Sequence, residues 1–158
     1  MVRFTTLIFI SIFISMVSCS KEEIELNQQS NIESHTSDIE NEILYLVNEY
    51  RMSKGLISLE FDAETYDFAL AHNAYMISEG NISHDNFKQR SSKLAVNVGA
   101  GYVSENIGKN FVTAQALVGA WKESHSHQKN MVGDFTHFAV SATSDSNGIL
   151  YFTNLFFK

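Results

Sequence analysis

The stretch FTHFAVSATSDSNGILYFTNLFF, residues 135–157, decides how the rest of the chain must be arranged. Phe135–Thr143 and Ile149–Phe157 are β-rich runs, and Ser144-Asp145-Ser146-Asn147-Gly148 between them is a turn whose Asn-Gly pair suits the positive φ of a hairpin. A hairpin with one wet face alternates apolar and polar residues. Tyr151-Phe152-Thr153-Asn154-Leu155-Phe156-Phe157 is instead apolar at neighbouring positions, the pattern of a strand covered on both faces. The aromatic end is therefore read as core, not as a lipid contact, and the segments before it must supply the cover.

Those segments read as helices. Ser37-Asp38-Ile39-Glu40 is a capping box, and Ile39, Ile43, Leu46, Val47 and Tyr50 recur at helical spacing until Lys54-Gly55 closes the first helix. Leu56 and Leu59 flank a short extended link. Asp62 caps a second helix, with Tyr66, Ala69, Leu70, Asn73, Ala74 and Ile77 along one side and Glu79-Gly80-Asn81 at its end. Residues 81–111, with Gly99, Gly101 and Gly108, read as irregular, and a long loop inside a compact domain is usually functional. Thr113 caps a third helix through Ala116, Leu117, Ala120 and Trp121, the last spaced as a core anchor. No internal repeat or low-complexity tract is evident.

Composition narrows the function classes. The chain has 158 residues, is 44% hydrophobic, and contains no proline and one cysteine. A disulfide framework or a cysteine-based zinc finger needs more than one thiol, so both are excluded. Lys and Arg number 11 against 18 Asp and Glu, a net charge of −7, which argues against nucleic acid as a partner. The length and apolar content suit a single domain.

The N-terminal residues stand apart. Arg3 precedes an uncharged run from Phe4 to Val17, too short to span a bilayer and of signal-peptide length. The lone Cys19 ends that run behind Ser18. This resembles the lipobox of bacterial lipoproteins, with Met16 and Val17 where Leu and a small residue are commoner. The resemblance implies cleavage before Cys19 and acylation of its sulfur and new amino group by chains such as palmitate. Residues 1–18 are then a lipoprotein signal peptide, 19–36 a flexible acidic tether and 37–158 the folded domain. The chain is expected to be exported and held at the cell envelope by its N-terminal lipid, with surface exposure suggested by Lys21-Glu22-Glu23-Ile24-Glu25. The alternative is a free cysteine after an ordinary leader or an uncleaved anchor.

Candidate chemistry lies between the second helix and the hairpin. His84, Glu105 and His127 fall on three segments, and two imidazoles with one carboxylate can hold a divalent metal if the fold gathers them. Taken singly, each histidine is more often a hydrogen-bonding or surface residue. His72 reads as structural, His137 and His35 as strand-face and tether residues. His125 lies two residues from His127, which on a continuous helix turns it away from its neighbour. Ser83, Ser124 and Ser126 sit beside histidines without the GxSxG context of a serine hydrolase.

Three groups of residues carry a resemblance. Asn48-Glu49-Tyr50-Arg51 is followed by Gly55-Leu56, Leu59 and Ala71-His72-Asn73-Ala74-Tyr75-Met76; next come Ile82-Ser83-His84-Asp85-Asn86-Phe87 and Arg90. Last are Ser104-Glu105-Asn106-Ile107, Trp121, Ser124, His127 and Asn130. In this order they resemble the bacterial branch of the CAP superfamily (SCP/TAPS; cysteine-rich secretory proteins, antigen 5 and pathogenesis-related 1 proteins), over residues 39–158. The resemblance implies an α/β (α+β) fold, a three-layer α-β-α sandwich with a small antiparallel sheet. It also implies a central cleft with two metal-binding histidines, matched by His84 and His127, and an acid matched by Glu105, with Asn106 and Ser124 supporting the cleft. Zinc or another divalent cation is the implied cofactor. Ser104 replaces the usual glycine before Glu105, Ser58 the usual proline, and Ser124 the second acid, so the acidic half of the site is incomplete. Two functions follow. One is a non-enzymatic module that binds a cation and an extracellular ligand: a lipid, a peptide or a cell-wall fragment. The other is a metal-dependent hydrolase with Glu105 as general base.

Overall fold

A computed structural model describes residues 37–158. Cys19, His35 and the leader and tether readings lie outside the described residues. Within them the elements are α1 (Asp38–Ser53), β1 (Glu60–Phe61), α2 (Ala63–Glu79), α3 (Phe87–Asn97), β2 (Val103–Lys109), α4 (Ala114–Glu123), α5 (His125–Met131), β3 (His137–Ser144) and β4 (Leu150–Phe157). The strand order is β1-β3-β4-β2. β4 pairs antiparallel with both β3 and β2, while the two-residue β1 pairs parallel with β3. The sheet is thus antiparallel over its three long strands and mixed only through the short β1. The link containing Leu59 runs straight into β1 and sits alongside the start of β3, where Glu60 N–H donates to Thr136 O.

The double cover expected of the hairpin is present. Phe138, Val140, Phe152 and Phe156 face Ile43, Leu44 and Val47 of α1, Leu117, Val118 and Trp121 of α4, and Met131 of α5. On the other face Leu155 and Phe157 pack with Val103 of β2, Ala69 of α2 and Leu94 of α3, and Tyr151 packs with Met76 and Ile107. The sheet is the middle layer of three, and every residue from Tyr151 to Phe157 is buried.

The caps behave as expected at three helices. Ser37 and Glu40 form the capping box of α1, Asp62 accepts from Thr65 N–H, and Thr113 accepts from Ala116 N–H. Gly80 ends α2 at φ 67°, in the left-handed region that favours glycine. At the hairpin turn, only Gly148 takes a positive φ (78°). Asn147 does not, because the Asp145 carboxylate organises the turn by accepting from the N–H groups of Asn147 and Ile149.

Residues 81–111 are the largest correction: they contain α3 and β2 rather than one irregular loop. α3 begins at Asn86, itself left-handed (φ 59°) and without a side-chain cap bond, so it lacks the usual start signal. β2 buries Ser104, Glu105 and Asn106, which no apolar pattern marks as a strand. The third helix of the sequence reading also differs. It stops at Glu123, and Ser124 is both its last cap and the first cap of a separate α5.

Candidate functional site

β2 is the edge strand beside β4, and its alternation builds the site on both sides of that edge. Odd positions point toward α2 and α3, carrying Glu105 there with Val103 and Ile107. Even positions face α4 and α5, where Asn106 donates to His127 O at 3.1 Å. Two contacts lock the edge in place: Trp121 Nε1 donates to Ile107 O, and Asn130 Nδ2 donates to Glu105 O, both at 3.0 Å. Asn130 Nδ2 also donates to Asn106 Oδ1 at 2.8 Å. Asn106 therefore supports the site by fixing the backbone of α5 against β2.

Glu105 is 5% exposed and fully engaged. Arg90 grips it as a fork, with Nε on Oε2 at 2.9 Å and Nη2 on Oε1 and Oε2 at 2.8 and 2.6 Å. His84 Nδ1–H donates to Oε1 at 2.8 Å. In the neutral ring that bond fixes the tautomer, with the proton on Nδ1 and the lone pair on Nε2, on a side chain 53% exposed. His72 completes the cluster, its Nε2 lying 3.8 Å from Glu105 Oε1 and donating to Ser83 O at 2.8 Å. Burial pushes the His72 imidazole below its ordinary pKa, and the nearby Arg90 and His84 charges push the same way against Glu105.

His127 approaches from the opposite side of β2. It is half-buried on α5 with its ring 6.4 Å from that of Trp121. Burial lowers its pKa, and the charge of His84 lowers it further. His125 is exposed, as expected, although the helix is not continuous through Ser124. Ser124 pairs its hydroxyl with that of Ser126 at 3.2 Å. Its place is the break that turns α5, not a replacement acid.

The sequence assigns no role in the site to Arg90 and marks His72 as structural. His72 is hydrogen-bonded and buried as expected, yet it also stands beside Glu105. Arg90 does carry a readable signal: Phe87, Arg90 and Leu94 are spaced three and four apart, which puts a cation on the inner stripe of a helix where only a buried anion can receive it.

Among the described residues, no three His, Cys, Asp or Glu side chains are gathered to hold a metal. His84 Nε2 and the His127 ring are two imidazoles with open donors, and Glu105 stands behind His84 as an orienting carboxylate. In donor chemistry, two imidazoles with a carboxylate behind one of them are of the type a transition ion takes.

A sequence model of the family described as "CAP: Cysteine-rich secretory protein family" matches residues 44–156. The chain belongs to the CAP family. The chain is 32% identical over 123 residues to "Uncharacterized membrane protein YlbC" of Bacillus subtilis (strain 168), a match covering 75% of this chain and 34% of that protein. It is 29% identical over 118 residues to "Uncharacterized protein YkwD" of the same organism, covering 72% and 46%. The chain thus spans less than half the length of each relative. Two solved structures share the CAP fold. An outer surface protein from Borrelia burgdorferi has a TM-score of 0.64 and 20% identity, covering 87% of this chain and 93% of that one. An extracellular SCP-domain protein from Bacillus anthracis str. Ames has a TM-score of 0.67 and 22% identity, covering 90% and 45%.

Proposed function

We propose that this CAP domain is a non-catalytic binding module of the cell envelope, anchored by lipid on Cys19. In this reading His84 and His127 hold a divalent cation that presents its open positions to an extracellular ligand. The observation that carries the reading is the state of Glu105. A general base must be free to take a proton from a bound water, whereas both Glu105 oxygens are occupied by Arg90 and the carboxylate is buried. Its remaining role is to orient His84, the arrangement in which a carboxylate behind a ligating histidine sharpens affinity. The relatives named as membrane, outer surface and extracellular proteins support a place at or outside the envelope.

Two measurements test this. Zinc titrated into the full chain is expected to bind, and His84→Ala and His127→Ala each to weaken binding at least ~10-fold, the scale of losing one ligand or its support. Unchanged affinity in both variants overturns the site, and zinc-dependent turnover of peptides or glycans that disappears in Glu105→Gln overturns the non-catalytic reading. For the anchor, mass spectrometry of the membrane fraction is expected to find a mature chain beginning at acylated Cys19. A mature chain starting elsewhere, or carrying no lipid, overturns it.

A further inference from the structure

A second cleft of about 180 Å³ lies between α2 and α3, with His72 and Arg90 in its wall and neither His84 nor His127 among the residues that line it. We propose that it binds a small hydroxylated carboxylate of the size and class of an acid sugar. The space exceeds the ~150 Å³ that accepts a benzene-sized ring and falls short of the ~300 Å³ at which drug-sized sites begin, so it suits one six-membered ring.

Its lining specifies the chemistry. Phe68 and Tyr75 supply apolar surface, with the Tyr75 ring stacked on His72 at 5.9 Å between centroids. His72 is 1% exposed, and its Nδ1 has no hydrogen-bond partner among the described residues. Because Nε2–H donates to Ser83 O, Nδ1 is a bare lone pair, and a buried acceptor of this kind calls for an O–H or N–H donor. The α3 wall calls for an anion. α3 carries Lys88, Arg90 and Lys93 and no acid, in a chain whose net charge is −7. Lys93 forms no ion pair among the described residues, and Arg90 Nη1 donates once, to Asp85 O, keeping a second N–H.

Two carboxylates stand near, each already engaged. Glu105 engages the other edge of Arg90, and Asp85 accepts from the Tyr75 hydroxyl at 3.1 Å. Gln89 adds an amide to the lining. A hydroxyl for His72, a carboxylate for Lys93 and Arg90, and a ring edge against Phe68 together describe the ligand.

The test is calorimetric titration of the full chain with glucuronate, with glucose and acetate as the two halves of its chemistry. Saturable glucuronate binding is expected, at least ~10-fold weaker for glucose or acetate and ~10-fold weaker in Lys93→Glu, one charge-assisted contact being worth about that factor. Lys93 is exposed, and unchanged near-UV circular dichroism is expected to show the variant folded. The His72 Nδ1 resonance is expected to shift on saturation, and EDTA to leave affinity unchanged. No saturable binding, equal affinity for glucose, or full affinity in Lys93→Glu overturns the proposal. Loss of binding in EDTA also overturns it, by reassigning the ligand to the histidine centre.

Discussion

At the scale of single residues, Glu105 shows how a buried charge becomes a positioning device. An unpaired carboxylate at 5% exposure would be strongly unfavourable, so Arg90, itself 8% exposed, is a condition of its burial. Arg90→Leu is therefore expected to destabilise the domain by about 3–5 kcal/mol in urea unfolding, the cost of leaving one member of a buried pair alone. The double variant Arg90→Leu/Glu105→Leu is expected to recover much of that loss while weakening zinc binding, because His84 loses the acceptor that fixes its tautomer. A double variant as unstable as the single one would mean that the pair is not the unit. Glu40 solves a comparable problem without a cation. Its carboxylate caps α1, accepts from the Tyr66 hydroxyl, and accepts from Ala142 N–H of β3 beyond the reach of the two-residue β1. One side chain thus starts a helix and finishes a strand edge.

At the scale of elements, the parts legible in the sequence are those whose signals are local. Caps at Ser37, Asp62 and Thr113 announce α1, α2 and α4, and the continuous apolar run of β4 announces a doubly covered strand. β2 is illegible because its burial depends on partners remote in sequence: Glu105 on Arg90, Asn106 on Asn130, and the Glu105 and Ile107 carbonyls on Asn130 and Trp121. The family resemblance includes Arg90 and His72 among its motif residues but assigns them no place in the site, which they join only where α3 and α2 meet β2. Gly108 illustrates the same dependence. It reads as a loop glycine, but it lies in β2, where a Cβ would come within 2.5 Å of Leu117 Cδ1 on α4. Gly108→Ala is expected to cost about 1–3 kcal/mol by overpacking. In a double-mutant cycle with Leu117→Ala, the cost of the second change is expected to be smaller than its cost alone. Strict additivity of the two would show that α4 does not press on β2 at this point.

At the scale of the whole molecule, the layers on either side of the sheet hold one buried and one half-buried imidazole, and this ties stability to pH. His72 on α2 and His127 on α5 both have folded pKa values below the ordinary 6.5, burial being the main cause in each case. An unfolded chain restores the ordinary value, so between the two the unfolded state binds more protons and stability rises with pH. The contribution is fully present above 6.5 and is lost as pH falls through the lowered folded values. The urea midpoint is accordingly expected to hold from about pH 8 to 7 and to fall from about pH 6.5 toward 5. Carboxylates protonated in the same descent add to the fall, and a comparison separates them. His72→Gln keeps a hydrogen-bonding side chain at the Ser83 carbonyl but cannot titrate. It is expected to be less stable than the parent at about pH 7.5 and to lose less of its midpoint on acidification, so that the two curves converge toward about pH 5. Parallel curves would mean that His72 takes no part in the acid sensitivity, and that burying a neutral imidazole beside Arg90 and Glu105 is not what makes this fold prefer neutral solution to acid.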